Sequence, residues 1–257
     1  MLGPDGNNLL PAAVLYKRNI LALRGSFRPV TKVNMDMFQK SYDIFLRDQA
    51  VDQDRAIVIF EITLSNLKAS GEIDERDFMD RAELLCSLGH TVMISKFQEY
   101  YKLVEYFNNY TKAKIGLTMG VNNLIDVFDE KYYRHLSGGI LEAFGKLFFK
   151  ELQVYLYPMK DPETGRIMTS NNVKVHPRMK GLYKFFKYNG KVMDIVDYDP
   201  GIMHIFSTDA HKKLTNNEEG WEDMLPEGIA EIIKERKLFS RKHLPSEEEI
   251  KDSKEVS

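Results

Sequence analysis

Gly25, Ser26 and Phe27 close an apolar run, RNILALR, and an amphipathic segment, MDMFQKSYDIFL, follows within a few residues. A strand that turns into a helix through small residues points free backbone N–H groups at whatever lies above the turn, and such groups hold phosphate. Thr31 and Asn34 stand at the mouth of the coming helix with a hydroxyl and an amide, and Arg24, Arg28 and Lys32 add positive charge beside it. A second place of this kind is IFSTDAHKKL, residues 205–214, where Ser207 and Thr208 open a helix. Taken alone, those hydroxyls read better as an ordinary helix cap. A third is IGLTMGVNNL, residues 115–124. There Gly120 lets a ligand approach the backbone, while Asn122 and Asn123 alone would be capping residues.

Other chemistry finds less support. The sequence carries no phosphate-cradling GxxxxGK[ST] loop and no GxSxG nucleophile turn. His135, His176, His204 and His243 are scattered, and none pairs with a carboxylate or a second histidine at ligand spacing, so no protein-built metal site is expected. Glu61, after an apolar run, has no partner in the sequence that would mark it as a general base. Leu88-Gly89-His90 closes a helix instead of opening one, so Gly89 reads as its terminal glycine and His90 as a cation near the helix end. Ser137-Gly138-Gly139 reads as a plain helix start before an anion site. The aromatics of 97–110 and 183–188 fall at helical spacing and read as core first and as a base-stacking surface second.

The elements that must position the three glycine and serine turns follow from periodicity. Short apolar runs near 18–24, 56–62, 91–95, 115–119, 152–157 and 203–206 read as strands. Helical patterns lie near 35–47, 74–88, 97–110, 122–133, 139–150, 176–188, 208–214 and 226–236, with Asp74 as a start signal for the second. Strands apolar on both faces and separated by helices predict an α/β fold: a Rossmann-like, mainly parallel sheet with helices on both faces. Residues 1–240 are expected to form a single domain, with the polar segment 159–175 as a surface excursion or hairpin. The charged tail, 241–257, is expected to be disordered.

Composition narrows the partners. With 36 basic against 38 acidic residues the net charge is −2, which argues against nucleic acid as a partner. No apolar run reaches the roughly 18 residues a membrane helix needs, and the N-terminus lacks a signal-peptide pattern. Cys86 is the only cysteine, which fits a reducing, cytoplasmic setting. The charge balance leaves room for a local basic pocket, and a homo-oligomer is possible.

Residues 25–34 also resemble the opening motif of the nucleotide adenylyltransferases that make dinucleotide cofactors, GSF(N/D)P(V/I) followed by His or Thr, two variable residues and His. Asn34 stands where that family has its catalytic histidine. Three further blocks occur in the family's order. Gly120, Asn122 and Leu124 match a strand-Gly-x-Asp-x-Leu block with Asn122 for the Asp, and Tyr132 or Tyr133 falls near a family tryptophan. Ile205, Ser207, Thr208 and Ala210 match Ile-Ser-Ser-Thr-x-apolar-Arg, with Phe206 for the first Ser and His211 for the Arg. The pattern of 225–239 resembles the family's terminal helix.

The resemblance is to the nicotinate/nicotinamide mononucleotide adenylyltransferases of NAD biosynthesis, and it implies transfer of AMP from ATP to a mononucleotide with release of pyrophosphate. It implies ATP and Mg²⁺ as cofactors, the metal held through the phosphates. Thr31 and Asn34 would take the catalytic positions. Gly25, Ser26, Phe27, Arg28, Lys32, Ser207, Thr208 and His211 would hold ATP, and Gly120 and Asn122 the nucleotide. Replacing a charged donor by Asn34 costs about 10²–10³ in rate where that donor stabilises the transition state. Lys212 or Lys213 would have to supply the cation missing at His211. The alternative is a catalytically retired relative that acts as a nucleotide-binding or regulatory module.

Overall fold

The apolar residues of the first strand, β1 (Asn19–Arg24), alternate between two cores: Ile20 and Ala22 pack on one side, Leu21 and Leu23 on the other. A strand buried on both faces lies inside a sheet covered by helices on both sides. The computed structural model describes residues 1–64 and 75–239. It contains that sheet, six parallel strands in the order β3-β2-β1-β4-β5-β8. The members are β2 (Ala56–Thr63), β3 (Thr91–Ser95), β4 (Ile115–Gly120), β5 (Leu152–Tyr157) and β8 (Val192–Asp194). Ala22 of β1 sits between Ile59 of β2 and Leu117 of β4. The fold is therefore α/β and Rossmann-like.

One face is covered by α2 (Lys32–Arg47), α3 (Glu75–Ser87) and α9 (Ile229–Arg236), through Phe45, Leu84, Leu85 and Ile229. The other is covered by α4 (Tyr100–Asn108), α5 (Val121–Val127), α6 (Gly139–Leu147) and α7 (Lys180–Tyr188), through Leu103, Phe107, Leu124, Phe144 and Tyr183. A short α1 (Pro11–Leu15), which periodicity did not show, buries Leu15. The excursion at 159–175 contains a two-stranded hairpin, β6 (Met159–Lys160) with β7 (Ile167–Met168). Ser170 ties it down: its hydroxyl donates to Asp194 at 2.6 Å and its carbonyl accepts from Tyr183 Oη at 2.7 Å.

Several expectations are corrected. Residues 203–206 are not a strand; the sixth strand is β8. Met203 and Ile205 are buried and His204 between them is exposed. That alternation mimics a strand, but the residues plug the core ahead of α8 (Ser207–Thr215). The helix read as 122–133 ends at Val127, and Asp129 caps a separate turn at Glu130–Tyr133. His90 is not a cation. Gly89, at φ +85°, and His90 close α3 with two backbone bonds to Cys86 and Leu85, a Schellman ending. Burial between Phe60 and Phe38 then pulls the His90 pKa down to about 4. The Ser137-Gly138-Gly139 turn is closed by its own helix, since Gly138 N–H donates to Glu142 at 3.0 Å. Phe185 and Tyr188 of α7 are exposed, not core. The start signal at Asp74 and the tail at 241–257 lie outside the described residues.

Gly116 of β4 shows how closely α2 approaches the sheet. A Cβ there would lie 2.7 Å from the Tyr155 ring and 2.8 Å from Leu21, with Phe45 of α2 at 3.2 Å. Gly116→Ala is expected to cost about 1–3 kcal/mol through overpacking, measured by urea unfolding against the wild type.

Candidate functional site

The strand order reverses between β1 and β4, so the loops leaving their carboxyl ends run to opposite faces and leave a crevice. Two cavities fill it, of about 570 and about 240 Å³. Asn34, Met37, Gly120, Asn123 and Ser207 line both. The larger chamber adds Gly25, Ser26 and Phe27, then runs over the ends of β2 and β3 to Tyr132 and Tyr133. The smaller adds Thr31 and Asn122 and runs towards β5, between Pro158, Met159 and Phe206. The turn after β1 and the start of α8 thus meet across one crevice.

The turn after β1 is shaped by Phe27. Its backbone is left-handed at φ +46°, and its ring folds back to pack on Phe60 with centroids 5.3 Å apart. The ring then lies over Gly25, where a Cβ would meet it at 2.8 Å. Gly25 is thus needed for packing within the turn. Gly120 has open space instead, its nearest neighbour being Asn123 at 4.0 Å, so the backbone there is accessible from both chambers.

Thr31 and Asn34 form a reciprocal capping box on α2. Asn34 Oδ1 accepts from the Thr31 N–H at 2.9 Å and from its hydroxyl at 3.0 Å, and Thr31 Oγ1 accepts from the Asn34 N–H at 3.4 Å. Thr31 is 1% exposed and its hydroxyl is consumed by the cap, which corrects its reading as a phosphate donor. Asn34 keeps its Nδ2 hydrogens, for which no partner exists among the described residues. At α8 the capping position is Phe206, which offers no side-chain bond, and Ser207, the first residue of the helix, lines both chambers.

The two arginines beside the turn are engaged. Arg24 grips the fully buried Glu61 with two bonds, 2.5 and 3.2 Å, donates to the Gln98 carbonyl at 3.0 Å and stacks on Tyr100 at 4.4 Å. Arg28 turns out of the crevice to Asp77 at 2.6 Å, and Asp77 also binds Arg81. Glu61 is thus the anchor of Arg24, not a free base. Arg28, Lys32, Thr208 and His211 line neither chamber. His211 is half-buried, and burial, with Arg28 and Arg81 nearby, holds its pKa down to about 4, so it is neutral at pH 7. Lys212 and Lys213 face a different cavity, with Asp209 and Glu218, and cannot replace it.

Asp36, Asp126 and the Gln98–Tyr100 loop had no sequence signal as site residues, and Asn123 read only as a cap. Asp36 of α2 accepts from Tyr157 Oη at 2.6 Å and from the Asp199 N–H at 3.1 Å, which latches the segment leading into α8 against α2. Burial and that carboxylate raise the Tyr157 pKa far above its usual value, so it remains the donor. Asn123, Asp126 and the Gln98–Tyr100 loop complete the larger chamber.

Two outcomes follow. Asp36→Ala leaves the buried Tyr157 hydroxyl unpaired and is expected to cost about 1–3 kcal/mol, read by thermal unfolding. His90 and His211 both titrate near 4 when folded and near 6.5 when unfolded. The unfolded chain binds protons that the folded one refuses, so stability falls as pH drops from about 6.5 towards 4. Melting temperatures across that range should decline less in a His90→Phe, His211→Gln variant.

The fold is similar to that of Plasmodium falciparum nicotinic acid mononucleotide adenylyltransferase complexed with APC, with a TM-score of 0.51 over 86% of this chain and 97% of that one, at 15% identity. That likeness concerns the fold. No protein-family model matches this sequence, and no curated protein matches it by sequence.

Proposed function

We propose that the crevice binds ATP and a mononucleotide and transfers AMP between them with release of pyrophosphate. The observation that carries this reading is the pair of chambers meeting at Asn34, Gly120 and Ser207. Adenylyl transfer needs two nucleotides whose phosphates converge, because the phosphate of one attacks the α-phosphorus of the other. The chemistry asks the protein for alignment and charge stabilisation more than covalent work. In the proposal, the triphosphate lies between the Gly25–Ser26 turn and the N-terminus of α8. The Asn34 amide donates to it, and Gly120 leaves room for the phosphates. The base of ATP occupies the smaller, more apolar chamber, and the mononucleotide the larger. Among the described residues no group of three His, Cys, Asp or Glu side chains could hold a metal, so Mg²⁺ would arrive on the phosphates and supply charge neutralisation there.

The retired-module reading is favoured by one observation: the only arginine lining the chambers among the described residues, Arg24, is already ion-paired. The two readings share binding and differ in turnover. Purified protein with ATP, Mg²⁺ and nicotinate or nicotinamide mononucleotide is expected to release pyrophosphate and form dinucleotide. Binding without product would establish the module, and no binding would remove both. Asn34→Asp preserves the capping acceptor while deleting the amide donor. It is expected to weaken ATP binding by about tenfold or more at unchanged melting temperature, a loss of roughly 1.4 kcal/mol. Equal affinity would contradict the placement of the triphosphate.

A further inference from the structure

The far end of the larger chamber is built from Glu99, Tyr100, Asp126 and Tyr132. Its charge is negative. Glu99 has Lys102 at 2.7 Å, but Lys102 lies outside the lining. Asp126 has no ion pair among the described residues and accepts only a long bond from Tyr132 Oη, at 3.4 Å. Among the described residues the one cation lining this chamber, Arg24, is neutralised by Glu61. Tyr100 is 7% exposed, and its hydroxyl has no hydrogen-bond partner. Burial raises its pKa to about 12, with Arg24, Glu61 and Asp126 all near enough to act on it, so the hydroxyl keeps its proton. A buried hydroxyl without a partner is costly unless something supplies one.

We propose that this end of the chamber selects a mononucleotide whose ring carries a neutral carboxamide over one whose ring carries a carboxylate. The inference rests on the reading of the larger chamber as the mononucleotide site. A carboxamide has one acceptor and two donors. Its carbonyl meets the need of the Tyr100 hydroxyl, and its NH₂ group meets the carboxylate of Asp126. A carboxylate on the ring offers acceptors alone and meets Asp126 and Glu99 as like charges, with no unpaired lining cation among the described residues to offset the repulsion. The same two carboxylates favour a positively charged ring such as a pyridinium.

The test is calorimetric titration of the full chain with nicotinamide mononucleotide and with nicotinic acid mononucleotide, and separately with Mg²⁺ and a non-hydrolysable ATP analogue. The amide form is expected to bind at least tenfold more tightly. Asp126→Asn should shrink that ratio, chiefly by improving the acid form. Tyr100→Phe should weaken the amide form several-fold and leave the ATP analogue unaffected. Equal or tighter binding of the acid form, or a ratio unmoved by Asp126→Asn, overturns the inference; with the ATP analogue still bound, the adenylyl-transfer reading survives. Binding of the ATP analogue with neither mononucleotide also overturns it. Failure of all three ligands removes both.

Discussion

The reversal of strand order between β1 and β4 is the constraint from which the rest follows. Neighbouring parallel strands whose connections leave in opposite directions cannot close the space beyond their carboxyl ends. Gly25, Ser26 and Phe27 emerge from one strand and Gly120 from the other, and α8 arrives across the gap under the Asp36 latch to Tyr157 and Asp199. No one of these segments is a site. The topology brings them to a common centre, and the alternation of apolar residues through β1, β4 and β5 keeps that topology rigid beneath them.

Charge around this centre is spent inside the protein. Arg24 is committed to Glu61, and Arg28 and Arg81 share Asp77. Each arrangement avoids a buried unpaired ion, whose cost is several kcal/mol. The consequence is that, among the described residues, the arginine charge is committed and the crevice presents the dipoles of the Asn34 amide and of Ser26 and Ser207, with Lys160 at the smaller chamber. Such dipoles are fixed in advance by the fold and need no reorganisation when charge arrives. They are weaker than a guanidinium fork, which is why binding and turnover are separate questions for this chain.

Much of this was legible in the sequence. Five of the six sheet strands, the parallel α/β architecture and the convergent turns at Gly25, Gly120 and Ser207 were readable because short runs apolar on both faces and small residues at strand ends have direct backbone consequences. The sixth strand was not, because three residues at an edge carry too little pattern, while Met203 and Ile205 imitate one. Side-chain commitments were invisible. Arg28 reads as a ligand-facing cation until Asp77, 49 residues away, is seen beside it. Thr31 reads as a catalytic hydroxyl until Asn34 is seen closing the capping box. Asp36, Asp126 and Tyr100 gave no local signal, since their roles depend on partners or walls supplied by distant segments.

The most direct measurement is a crystal structure of the full chain with Mg²⁺ and ATP. The account predicts the triphosphate between the Gly25–Ser26 turn and the first turn of α8, within hydrogen-bond distance of the Asn34 amide nitrogen. Nucleotide bound elsewhere, for instance in the cavity flanked by Lys212 and Lys213, would contradict it.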